Sequence, residues 1–140
     1  MRPASDVEAP WAAGICHPLP LGAALVMAVN DHWLKGSGLL PGAVTGKVSD
    51  AAGLFFTPAL ATAVCLGLFA VFGRRPPFVR LLPLAACIVV GLGFAAATLV
   101  APFNTLLAEI WIAKRMDPTD LWTLPALAGA WVWMRHRYEG

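Results

Sequence analysis

The stretch that decides the fold is TGKVSDAAGLFFTPAL, residues 45–60. Its second half is apolar enough for the middle of a membrane helix. Its first half places Lys47, Ser49 and Asp50 within four residues. An Asp at the centre of a bilayer costs about 2.5–3.5 kcal/mol on the insertion scale, and far less at the interface. The polar half is therefore expected at the interface and the apolar half in the hydrocarbon. Ser49 then reads as the N-cap of a helix with Asp50 in its first turn, where hydroxyl and carboxylate meet free backbone N–H groups and the positive helix end. Lys47, three residues before Asp50, is placed to pair with it.

Composition supports the membrane reading. Of 140 residues, 59% are hydrophobic and 13% charged, and the mean hydropathy is +0.70. Soluble domains carry about 25% charged residues and 45–50% apolar ones. A net charge of +2, with basic residues in short clusters, gives no footprint for nucleic acid. Cys65 and Cys87 fall inside apolar runs and read as small buried hydrophobes, and no CxxC accompanies them or Cys16. Asp6 and Glu8 interrupt the beginning of the chain, so no cleavable signal peptide is expected.

Four apolar segments run outward from this stretch, at about residues 19–34, 51–72, 81–102 and 121–134. A bilayer core of about 30 Å needs about 20 helical residues, with a range of about 17–25. With their flanks the segments predict spans at 16–35, 50–73, 81–102 and 118–135, in one all-α domain covering 1–140. Between the third and fourth spans, Phe103, Leu106, Leu107 and Ile110 recur at helical spacing against Asn104, Thr105, Ala108 and Glu109. That pattern predicts an amphipathic helix at 103–115, either on the membrane surface or continuing the third helix past a kink at Pro102. The expected fold is thus an integral membrane four-helix bundle with an interfacial helix. Arg2, Arg74, Arg75, Arg80, Arg135 and Arg137 lie on one side of it, and Lys35, Lys47, Lys114 and Arg115 on the other. The excess of positive charge puts both termini in the cytoplasm of a bacterial inner membrane.

This topology gathers Asp31, His32, Lys35, Lys47, Ser49, Asp50, Glu109, Asp117 and Asp120 at the outer face. DPTDLWTLPAL, residues 117–127, repeats the logic of the opening stretch: Asp117 as N-cap, Pro118 at N1, Asp120 at N3. Each stretch runs from a hydroxyl residue and Asp to Pro-Ala-Leu, and Pro58 and Pro125 are expected to bend their helices. The glycines Gly91 and Gly93, with alanines 95–97, form a small-residue surface for close helix packing.

Taken together, TGKVSDAAGLFF and DPTDLWTLPAL resemble an uncharacterised family of small bacterial multi-pass membrane proteins. The resemblance runs from NDHWLKG, residues 30–36, to the fourth span. It implies that Asp31, Gly46, Lys47, Ser49, Asp50, Gly53, Asp117, Asp120 and Pro125 are motif positions, and it implies no biochemical activity.

Three functions stay open. One is a non-catalytic subunit or interaction protein, whose partner is another membrane protein or a second copy of the chain. Another is an enzyme acting on a lipid-linked or interfacial substrate through Asp50, Asp120, His32 and Lys47. The third is a small proton- or ion-coupled transporter. The first is preferred, because no nucleophile–base pair is legible and no acid sits deep in a span. No metal site or cofactor is expected. The histidines His17, His32 and His136 do not offer two haem ligands at one depth. P-loop, HExxH and GxSxG motifs are absent.

Overall fold

A computed structural model describes residues 10–74, 77–109 and 116–139. Among the described residues every regular element is a helix, with no strand. The elements are α1 (Pro10–Ile15), α2 (Pro18–Val29), a π-turn (Asn30–Leu34), α3 (Gly42–Val71), α4 (Leu82–Leu99), α5 (Ala101–Glu109), a 3₁₀ turn (Pro118–Thr123) and α6 (Pro125–Glu139).

The long helix α3 is the axis of the molecule and packs against α1, α2, α4 and α6. Its buried side is built from small residues, including Ala52, Ala59, Thr62 and Ala63. Such side chains let neighbouring backbones approach closely. The core closes where Ala59 and Cys87 meet Ala130 and Met134, with Phe55, Leu127 and Trp133 packed around them. α3 ends in a Schellman motif: Gly73 at φ +63° donates to the Ala70 carbonyl, and the Arg74 N–H donates to that of Phe69.

The opening stretch lies differently from the sequence expectation. α3 begins at Gly42, after Pro41 in an extended conformation, so Ser49 and Asp50 stand about two turns inside the helix. Ser49 is therefore not an N-cap. A helix of 30 residues rises about 45 Å at 1.5 Å per residue, against a hydrocarbon core of about 30 Å. The first turns extend past the apolar run, which carries no charge between Asp50 and Arg74. Pro41 and Gly42 start the helix early, and the polar half of the motif rides on its projecting end. Pro58 is buried within an unbroken α3, whereas Pro125 opens α6.

Among the described residues, two helices, α3 and α4, are long and apolar enough to cross a membrane. α2 has 12 residues and α6 has 15, each short of the usual span. The π-turn lengthens α2, with the Lys35 N–H bonding the Asn30 carbonyl at 2.8 Å. α4 stops at Val100, which is extended, and α5 starts at once. The break thus precedes Pro102. The Asn104 side chain donates to the Ala97 carbonyl at 2.7 Å and satisfies an acceptor left open by the helix end. Phe103 and Leu107 are half-buried while Leu106 is exposed. The remainder of the expected 103–115 helix, residues 110–115, lies outside the described residues, as do Arg2, Asp6, Glu8 and Arg75.

Of the glycines on α4, only Gly91 is needed for close approach. A Cβ there would lie 2.8 Å from Leu127 Cδ1, whereas one on Gly93 would meet nothing within 4 Å. At the far end of the bundle, a Cβ on Gly14 would collide with the Tyr138 ring. That contact brings the beginning and the end of the described chain to the same end of the molecule.

Candidate functional site: a polar-rimmed cavity

At the opposite end, helix packing leaves a partly open cavity of about 910 Å³. Its lining is mostly apolar, from Leu54, Val90, Gly93, Phe94, Phe103 and Leu107 among others. Its polar part comes from both motifs and from the end of α2. Asp31, Gly46, Ser49, Asp50, Gly53, Asp117 and Asp120 all line it.

Two hydrogen-bonded chains run through these polar residues, and Asn30, Lys47 and Thr119 belong to them without lining the cavity. In the first, the amide of Asn30 donates to the Thr45 carbonyl and to Ser49 Oγ, both at 2.7 Å. Ser49 Oγ in turn donates to Asp31 Oδ1 at 2.5 Å. Asp31 also lies 3.7 Å from Lys35 Nζ, one turn on. In the second, Lys47 Nζ donates to Thr119 Oγ1 at 2.8 Å and pairs with Asp120 Oδ1 at 3.5 Å. Thr119 Oγ1 passes a hydrogen bond to Asp117 Oδ1 at 2.8 Å. The chains share a pattern: a nitrogen donor, a hydroxyl relay and a carboxylate acceptor.

Local structure places each group. Asp117 accepts from the Thr119 N–H at 3.0 Å and so caps the 3₁₀ turn, as its position before Pro118 predicts. That turn presents Asp120 inward, where the residue is buried. Lys47 does not take Asp50 as the partner expected from its spacing. Its ammonium crosses instead to the 3₁₀ turn before α6, and the 34% exposed Lys47 side chain meets a 12% exposed Asp120 side chain. His32 is exposed and does not line the cavity. Among the described residues, no group of three or more His, Cys, Asp or Glu is placed to hold a metal.

Sequence reasoning missed Asn30. It is 1% exposed, and its Oδ1 is a buried acceptor with no hydrogen-bond partner. The signal lay in its place directly before Asp31 at the end of an apolar run, where a buried amide is costly unless something uses it. Trp33 and Trp122 flank this end of the bundle, 72% and 83% exposed.

No family model, curated protein or solved structure matches this chain.

Proposed function

We propose that this chain is a multi-pass bacterial inner-membrane protein that binds a membrane-borne amphiphile in the cavity and does no covalent chemistry of its own. The observation that carries the reading is the convergence of the two motifs. Asp31, Ser49 and Asp50 meet Asp117 and Asp120 on one cavity, with hydrogen-bonding groups at its rim and apolar walls below. A ligand with a polar head and an apolar chain has that shape.

The surface supports a membrane setting. Leu60, Val64, Leu68 and Val71 form an exposed apolar stripe along α3, and Leu84, Ile88 and Leu92 another along α4. Soluble monomers rarely leave such continuous apolar surface open. Trp33 and Trp122 sit where aromatic rings favour the headgroup level. In this reading α2 with its π-turn, and α6 with the 3₁₀ turn before it, complete four crossings beside α3 and α4.

Binding is favoured over turnover by the partners of the hydroxyl. Ser49 donates to the Asp31 carboxylate, which also pairs with Lys35, and serine nucleophiles are activated by direct contact with an imidazole or an amine. His32, the nearest imidazole in sequence, stands outside the cavity. The chain then acts as a lipid-binding subunit or carrier component, which keeps the non-catalytic role and gives it a ligand.

Native mass spectrometry of protein released from native membranes in mild detergent tests this. The wild-type chain is expected to carry an added lipid mass. Gly93→Leu is expected to lose it, because that position lines the cavity with open space beside it. Gly22→Leu, equally open but away from the cavity, is expected to keep it. An added mass of protein size in place of lipid would favour an assembly subunit instead.

A further inference from the structure

We infer that the cavity opens sideways into the bilayer between α2 and α4, and that a fatty acyl chain of the bound lipid lies in that gap. The inference rests on the amphiphile reading and gives the ligand's apolar end its place. α2 and α4 each pack along α3, with at most slight contact between them. Met27 on α2 and Val90 and Phe94 on α4 nevertheless line the same cavity. The space between the two helices is therefore cavity and not packing. α3 closes it behind with Gly53, Leu54 and Thr57. Small residues keep it open. A Cβ on Gly53 would meet only Met27 Sδ, at 3.7 Å, and one on Gly93 would meet nothing within 4 Å.

Depth decides what fills the gap. Thr57 lines the cavity about two turns beyond Asp50, or about 10 Å further along α3, and is exposed there. Val90 stands at the middle of α4, a helix long and apolar enough to cross a membrane. The cavity thus runs from its polar part to the middle of a span, where a lateral opening meets hydrocarbon. Neither α2 nor α4 carries a charged side chain. Leu25 and Val26 on α2, and Val89 and Leu92 on α4, are apolar and exposed, so lipid reaches both helices from outside. An alkyl chain entering between them keeps its surface out of water throughout. Entry through the polar end would draw it past Asp31, Asp50, Asp117 and Asp120.

The test feeds a diazirine-bearing fatty acid to cells making the full chain, so that acyl lipids of every head group carry the probe. Native membranes are irradiated, and lipid adducts are mapped by peptide mass spectrometry. Adducts on Met27, Val90 and Phe94 are expected to exceed those on Leu84 and Ile88, which are exposed outside the cavity and report bulk lipid. Gly93→Leu is expected to lower the first set about tenfold, the worth of one buried side chain's apolar contact, and to leave the second unchanged. Thr57→Trp, which fills the deep end, gives the same reading if Gly93→Leu does not fold. Adducts no denser in the gap than on Leu84 and Ile88, or unmoved by either variant, overturn the inference. So do adducts confined to Phe103 and Leu107 while native mass spectrometry still finds a retained lipid that Gly93→Leu removes, an outcome that leaves the amphiphile reading standing. A wild-type chain that retains no lipid overturns both.

Discussion

Tyr138 shows how a single buried polar atom sets a measurable stability. Its hydroxyl is buried against α1 without a hydrogen-bond partner. Burial pushes its phenol above the ordinary value of 10.0, with the neighbouring Arg137 opposing. An acid whose folded-state pKa is raised favours the neutral form, so its effect on stability is absent below the unfolded value. It becomes a penalty as the pH rises through about 10. Tyr138→Phe is therefore expected to be neutral or stabilising by up to about 1 kcal/mol at neutral pH. The advantage of the variant should grow above pH 10, as read by paired thermal melts in detergent. Lys47 predicts the opposite kind of result. Lys47→Met leaves the buried Asp120 carboxylate without its ammonium. The expected cost is about 1–2 kcal/mol, below that of a fully buried pair because Lys47 is partly solvated. A double-mutant cycle with Asp120→Asn should recover most of that coupling, and additive effects would show that the contact is energetically idle.

Between elements, Gly91 on α4 lies close to α6 and Gly93 does not. Gly91→Val must turn the Leu127 Cδ1 methyl aside, the movable end of a half-buried side chain, and is expected to destabilise by about 1 kcal/mol. Gly93→Ala, with free space, should be neutral or slightly stabilising through helix propensity, and unfolding in detergent distinguishes the two. The sequence showed both glycines as one small-residue surface, because spacing cannot say which glycine faces a neighbouring helix. It also showed the apolar extents of α3 and α4 well, since both are uninterrupted hydrophobic runs. It placed the start of α3 too late, because hydropathy marks where the apolar part begins and not where the backbone turns helical. The Asp117 cap was legible from Asp-Pro alone, a local signal. The partner of Lys47 was not, because it lies 72 and 73 residues away on the 3₁₀ turn before α6. Asn30 was marked by its place at the end of an apolar run, but its partners Thr45 and Ser49 lie on α3, and local sequence does not report that pairing.

At the scale of the molecule, the polar cavity and the Gly14–Tyr138 contact occupy opposite ends. Four crossings would put Cys16 and the 36–41 loop on opposite sides of a membrane. Cys16 is exposed, and so is Ser37. In a Cys65→Ala, Cys87→Ala background, a membrane-impermeant maleimide should label Cys16 from one face of sealed vesicles and Ser37→Cys from the other. Labelling of both from the same face would remove the four-span topology.

The π-turn at Asn30–Leu34 has one more consequence. Its hydrogen bond spans five residues where an α-helix spans four, so it holds one residue more than an ordinary turn. Loss of a single residue there would let the segment relax into α-helix. The chain beyond the deletion would keep its facing relative to α2, because an ordinary turn then replaces the wider one. Asn30 and Asp31 precede such a deletion and would keep their bonds to Ser49, and Lys35 would stand three residues from Asp31, still a neighbour on a helix. In this part of the chain a change of length is cheap: related chains that share these bonds should accept loss of one residue between 32 and 34 about as readily as substitutions there.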